Sequence, residues 1–454
     1  MRALSAVLVV PLVVLAACNG PDARPDAALD SSGSIDAGAD APDVEPTDAG
    51  WVYWDGGTTL PPVRWTLPAC ESAHGTLHRT DTDNPANVEL LVVAASAGRA
   101  AIAWAGPSSR WGEIRDGEYA PLPDGPAGYA PLASALYVAP DRLLAVDAVP
   151  PPGGGVFQIV AADGELTSAL PIVHDRIDAA RPRNDWGLFR APAGPWLVVA
   201  SLSVDGETER ATLLPLSDSF EPIGDPIALS EMPLFDHDRL VVVEDTDRYL
   251  AIRTFECNTC VPQYDIEIVP FDADTVGAAR TLGRLRGLNE HSIQHMTAAR
   301  DGEVAVIVWR SPPQHPPSYT AVVEVDMGTG ATVAGPYVVG VAHGPEQLTS
   351  SPGGGVDLVR QPKAEGWSYD ELLNTDNPLE VYVGVERPLS LEGHTPLRLG
   401  AGAYGWNVRT ARDGDRLLVV WEEQGPATER DERGGRRMVQ GLYWAILEGC
   451  PPTL

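Results

Sequence analysis

Two cysteines three apart, Cys257 and Cys260, and two histidines four apart, His291 and His295, are the residues whose types and spacing first suggest chemistry in this 454-residue chain. A Cys-x-x-Cys pair serves redox exchange where a helix N-terminus lowers the pKa of one thiol. No helix is expected around Cys257-Asn258-Thr259-Cys260. A zinc site would need a second pair at matching spacing, and no other Cys-x-x-Cys exists. Val261 follows Cys260, which excludes haem attachment. A local structural disulfide is therefore expected. His291 and His295 have helical spacing for a shared metal, but no glutamate follows either one as a His-Glu-x-x-His metal site requires. A β-strand would also place both on one face. Neither a metal nor a cofactor is expected. Thr82-Asp83-Asn84-Pro85 and Thr375-Asp376-Asn377-Pro378 repeat a tetrapeptide whose Asp and Asn side chains suit turns before proline. Serine-hydrolase elbows and phosphate loops are absent from the sequence.

The elements that must position these residues are short strands. From Trp51 onward one unit recurs: a strand, a Gly- or Asp-marked turn, an apolar run, a variable loop, then two further strands joined by a turn. The clearest copy spans Gln294 to Gly340. Its buried run is Val304-Ala305-Val306-Ile307-Val308-Trp309, followed by a proline-rich loop from Ser311 to Ser318. Comparable runs stand at Ala100–Trp104, Leu143–Val146, Trp196–Ala200, Tyr249–Ile252, Val356–Val359 and Leu417–Trp421. Apolar runs bounded by Gly, Pro and Asp indicate strands, and four-stranded units at this period indicate propeller blades. The fold class expected is all-β, a β-propeller of seven four-stranded blades. The final unit is one strand short after Met438–Leu447. Val63-Arg64-Trp65-Thr66-Leu67 is expected to supply its missing outer strand, which would bring Cys70 beside Cys450 for a second disulfide.

Before this domain, Asn19 to Gly50 is low-complexity. Asp22, Asp26, Asp30, Asp36, Asp40, Asp43 and Asp48 recur with almost no large apolar residue between them. Such a segment buries too little surface to offset its ordering entropy and is expected to stay disordered, as a stalk. Ahead of it, Arg2 precedes an apolar run from Ala3 to Ala17 that is too short for a bilayer span and is interrupted by Pro11. The run ends in Leu15-Ala16-Ala17-Cys18, which resembles the lipobox of bacterial lipoproteins. The resemblance covers 18 residues. It implies cleavage before Cys18, a diacylglycerol and an N-acyl chain such as palmitate on that residue, and attachment of the exported protein to the outer membrane or cell surface. Two or more acyl chains meet the requirement for stable anchoring. The organisation expected is thus a signal peptide over 1–17, a lipidated cysteine and linker over 18–50, and a propeller over 51–454.

Composition bounds the partners. A formal net charge of −31, with Lys363 the only lysine, opposes binding to nucleic acid or anionic headgroups. Four cysteines remain after Cys18, an even number that in an oxidising compartment favours disulfides over metal ligation.

In a four-stranded meander the loops after the second and fourth strands leave on one face. The longest second-to-third loops are Ser311–Ser318, Pro362–Pro378 and Glu422–Arg436. They carry His315, Trp367 and Tyr369, and His291 and His295 fall in a fourth-to-first connection on the same side. Loops held on rigid scaffolds concentrate binding residues. Those five residues are the binding-face candidates. The functional expectation is a non-catalytic module that binds an envelope protein or glycan. The alternatives are a propeller hydrolase or lyase with carboxylates in its central channel, and a purely structural envelope component. Fold alone does not choose among them.

Overall fold

The computed structural model describes residues 63–82, 89–96, 98–105, 110–121, 132–139, 142–149, 156–162, 166–173, 187–190, 196–203, 209–217, 223–224, 227–229, 240–245, 248–256, 264–272, 275–282, 294–310, 319–362, 378–401, 404–424 and 438–453. Among these residues every regular element is a β-strand. The first, β1 (Glu71–Thr82), pairs with the last and leaves its successor alone. Then come three complete antiparallel meanders. These are β2 (Glu89–Ser96), β3 (Arg99–Ala105), β4 (Arg110–Arg115) and β5 (Glu118–Pro121); β6 (Leu132–Ala139), β7 (Arg142–Val149), β8 (Val156–Ala162) and β9 (Leu166–Val173); and β10 (Gly187–Arg190), β11 (Trp196–Ser203), β12 (Glu209–Leu216) and β13 (Ile227–Ala228).

A fourth meander follows: β14 (Leu240–Glu244), β15 (Tyr249–Glu256), β16 (Tyr264–Phe271) and β17 (Arg280–Thr281). Next are β18 (Gln294–Asp301), β19 (Val304–Arg310), β20 (Tyr319–Asp326) and the 19-residue β21 (Thr332–Ser350), whose two halves belong to different neighbours. Its first half pairs with β20 and its second with β22 (Val356–Pro362), which continues into β23 (Leu379–Val385) and β24 (Leu397–Leu399). The last sheet holds β25 (Tyr404–Asp413), β26 (Arg416–Gln424) and β27 (Met438–Glu448), with β1 as its outer strand. The leading strands lie side by side in the order β2, β6, β10, β14, β18, β21, β25, and β25 also lies beside β2.

Each of the seven apolar runs read from the sequence falls on the second strand of its meander, because a strand covered by sheets on both sides has no polar face to show. In β26, Leu417, Val419 and Trp421 enter one core layer with Val359, Val381 and Leu399, while Leu418 and Val420 enter another with Ile102, Ile114 and Trp444. Period-2 alternation thus divides one run between two layers.

The outer strand of the last sheet corrects the expectation. Glu71–Thr82 fills that place, paired from Glu71 opposite Leu447 to Thr82 opposite Met438. The segment 63–67 instead lies beside Gly400 and Ala401, through Thr66 N–H to the Gly400 carbonyl (2.8 Å) and Arg64 N–H to the Ala401 carbonyl (3.2 Å). The apolar aromatic stretch packs against the core, and the polar stretch suits an outermost strand with one face in water. Cys70 and Cys450 are disulfide-bonded as expected, with Cα atoms 5.2 Å apart.

Candidate functional site

Successive strands of a meander leave two ends: a turn end, where first joins second and third joins fourth, and a connection end, where the longer segments lie. At the connection end, β26 runs out of apolar residues at Trp421 and continues as Glu422-Glu423. The alternation that splits the core carries one step further, so the two carboxylates enter different layers. Glu423 lies beyond Trp421 in the layer facing β22, and Glu422 lies beyond Val420 in the layer facing β3. Both are buried, at 0% exposure for Glu422 and 2% for Glu423.

Glu422 accepts a 2.7 Å hydrogen bond from Asn407 Nδ2. Asn407 belongs to the leading strand β25 and has a left-handed backbone, with φ of 47°. It stands at an irregularity in the pairing with β26, between Trp406 and Arg409. A non-glycine residue held there costs on the order of 1 kcal/mol, and such strain collects at working sites. Bulges likewise re-aim side chains next to such sites.

Glu423 accepts from the Ala401 N–H (2.6 Å) and from Trp421 Nε1 (2.7 Å). The 63–67 segment fixes Ala401 by its pairing. Its Trp65 stands edge-on to Trp421 and Tyr443, with centroids 6.4 and 5.6 Å away. Burial, and secondly the Glu423 charge, pushes the Tyr443 hydroxyl up to about 12, with Arg79 opposing. That hydroxyl therefore stays protonated at neutral pH. It lies over Gly441, where any Cβ would overlap it.

An amide accompanies the carboxylate in each layer. On β22, Asp357 and Val359 face the last sheet, since Asp357 bonds Arg412 and Val359 shares a core layer with Trp421. Gln361, two residues on, continues that face towards the Glu423 layer. On β27, Gln440 precedes Leu442 and Trp444 in the Glu422 layer. Gln361 is 0% and Gln440 3% exposed.

The turn end has another design. Two leading strands finish in Arg-Asp before a glycine: Arg300-Asp301-Gly302 and Arg412-Asp413-Gly414. Each arginine reaches back to the preceding sheet. Arg300 bonds Asp245, and Arg412 bonds the fully buried Asp357 carboxylate through Nε and a terminal nitrogen at 2.8 and 2.5 Å. Each aspartate reaches forward, Asp301 to the Gly355 N–H (3.0 Å) and Asp413 to the Gly98 N–H (2.5 Å). Asp301 also receives Arg387 Nε (2.7 Å). Beside these clasps lies a cavity of about 780 Å³ with Arg387, Arg412, Glu386, Asp415 and His394 on its walls. His394 is bonded to the Thr453 carbonyl. These contacts tie adjacent sheets and the tail together. A further carboxylate near this end, Glu244 on β14, is held above the usual range by burial, with Arg300 opposing.

Of the residues singled out from the sequence, Cys70 and Cys450 are joined. His295 stands at the start of β18, and its side chain is outside the described residues. Cys18, Cys257, Cys260, His291, His315, Trp367 and Tyr369 also lie outside them. Among the described residues no group of three or more His, Cys, Asp or Glu side chains is placed to hold a metal. Sequence reasoning missed Gln361, Asn407, Glu422, Glu423 and Gln440. The available signal was a doubly buried run that ends in two consecutive glutamates.

No family model and no curated protein matches the chain. Solved structures do. A Mycobacterium tuberculosis puromycin-hydrolyzing peptidase is 14% identical with a TM-score of 0.49, over 83% of this chain, which spans 56% of that protein. The β-propeller domain of the Trilobed protease from Pyrococcus furiosus, described as having an open velcro topology, is 12% identical with a TM-score of 0.42, over 79% of this chain and 94% of the domain. The phage phi92 endosialidase is 10% identical with a TM-score of 0.44, over 86% of this chain and 69% of that one. The similar structures are β-propeller proteins. At these identities and scores no residue role passes from them to this chain.

Proposed function

We propose that the chain is a seven-bladed β-propeller, exported and held at the outer membrane or cell surface by lipid on Cys18, and that it is a hydrolase with Glu422 as its reacting carboxylate. The blade count is supported by seven leading strands adjacent in order, the last beside the first. The lipobox-like Leu15-Ala16-Ala17-Cys18 supports the anchor. One observation carries the activity: a fully buried carboxylate held by Asn407, a leading-strand residue in a conformation that ordinary side chains avoid. General acid–base catalysis uses carboxylates positioned in this way, away from bulk water. Substrate reaches Glu422 from the connection end, beyond the last apolar residues of β26.

The test is turnover. Native lipoprotein in detergent is incubated with a panel of polysaccharides and envelope peptides, and new reducing ends or amines are counted. Glu422→Gln is expected to lower kcat at least about 100-fold with an unchanged circular dichroism spectrum. Stable binding by the native protein without turnover would remove the hydrolase reading and leave a non-catalytic binding module at the same end.

A further inference from the structure

Among the described residues, neither the Nε2 nor the Oε1 of Gln361 has a hydrogen-bond partner, and the Oε1 of Gln440 has none. A buried amide group without a partner destabilises the fold, so a folded protein keeps one only for a reason. Apolar side chains of similar volume would fill these positions without that cost. Both amides also sit where the apolar alternation of their strands runs out at the connection end. Gln361 caps the layer that ends in Glu423, and Gln440 caps the layer that ends in Glu422.

We infer that Gln361 and Gln440 are specificity-determining residues of that site, the whole Gln361 carboxamide and the Gln440 Oε1 kept unpaired for the hydroxyl groups of a neutral glycan. The inference rests on the hydrolase reading and names its substrate class. The chemistry of the unmet atoms makes the choice. A carboxamide presents a donor and an acceptor side by side. An anion would satisfy only the donor, and a cation only the acceptor. A hydroxyl both gives and takes a hydrogen bond, so it meets an unpaired amide donor and an unpaired amide acceptor alike. Only such a substituent, and no whole ring, needs to enter the end of a layer. A net charge of −31 independently disfavours polyanionic chains. Sites built to bond a substrate hydroxyl strongly reject analogues that lack it, because the site's own polar groups are then left unmet.

Gln361→Met and Gln440→Met keep side-chain length and remove the amide. In the full lipoprotein each is expected to raise the melting temperature by about 1–3 °C. Each is also expected to weaken binding of neutral gluco-, manno-, xylo- or galacto-oligosaccharides about ten- to hundredfold by calorimetry, raising KM more than it lowers kcat. Gln361→Glu, nearly the same shape but without a donor, should bind as weakly as the methionine variant. Oligosaccharides made of uronic acids should bind neither native protein nor variants. A fall in melting temperature in both methionine variants would show that the amides are structurally partnered and overturn the inference. Unchanged affinity in the variants, tighter binding of uronic-acid chains, or no binding of any neutral member by native protein would also overturn it. If Gln361→Met weakens binding while native protein shows no turnover, the hydrolase reading fails and the glycan assignment stands.

Discussion

At Asn407 a side chain and a strained backbone serve the same carboxylate, so the two contributions separate by substitution. Asn407→Gly relieves the left-handed strain and deletes the bond to Glu422, whereas Asn407→Asp keeps the shape and sets a second carboxylate against the first. Both are expected to lower kcat by tenfold or more, while in thermal melts Asn407→Gly stays within about 1 kcal/mol of the native protein. Tyr443 makes a separate prediction. Its hydroxyl lies near 12 in the folded protein, against 10.0 for an ordinary tyrosine, first because of burial and then because of Glu423. Tyr382 is pushed to about 12 as well, chiefly by burial. A group whose folded value is raised binds its proton more tightly when folded. Its stabilisation is therefore complete below pH 10 and lost as pH rises through 12. Urea unfolding is expected to weaken across that window, and Tyr443→Phe should flatten part of the loss. None of these residues stood out in the sequence, because a lone Asn or a Glu-Glu pair looks like any solvated turn until the neighbouring sheets cover it.

Between elements, sheets are joined by charged clasps as well as by apolar layers. Arg412 and Asp357 have side chains 14% and 0% exposed. Removing one partner of a buried pair strands the other charge, at about 3–5 kcal/mol. Asp357→Ala is therefore expected to lower chemical-denaturation stability by that order. Glu303→Ala, which breaks the exposed pair with Arg248 (40% and 71% exposed), should change it by less than about 1 kcal/mol. Equal losses would refute the clasp. The Asp301-Gly302 turn was legible as a turn, but the pairing of Arg300 and Asp301 to the sheets before and after depends on the angle between neighbours. The misplaced outer strand has a similar cause. Glu71–Thr82 carries two histidines and three threonines, and its Gly75 lies against the Trp444 ring with no room for a Cβ. Hydrophobicity marks covered strands and says little about an outermost one.

At the scale of the molecule, the ends of the described domain are fastened covalently. The Cys70–Cys450 bond closes a loop with a sequence separation of 380. Constraining so long a loop removes denatured-state entropy worth about 5 kcal/mol as an upper figure. Replacing both cysteines by serine is expected to lower the melting temperature markedly, with the same folded-state dichroism below the transition. An unchanged melting temperature would mean that β1–β27 pairing alone holds the join. The proposed lipidation on Cys18 is tested at the scale of the whole chain too. Cys18→Ala should move the protein from the membrane pellet to the soluble exported fraction and abolish labelling by fatty acid, and retention in the pellet would contradict the anchor.

The residue order by itself determined the all-β class and the apolar second strands of seven meanders, because each follows from a local pattern of apolar runs and turn residues; the Cys70–Cys450 bond was expected too, but through an outer strand that belongs to 71–82 instead. Only the tertiary structure decided that 71–82 completes the last sheet, that Arg300 and Arg412 reach backward while Asp301 and Asp413 reach forward, and that Glu422, Glu423, Gln361 and Gln440 share the ends of two layers. Those facts depend on which sheet faces which. A strand's period of two says that neighbours along the chain point opposite ways, but it cannot say what stands opposite them.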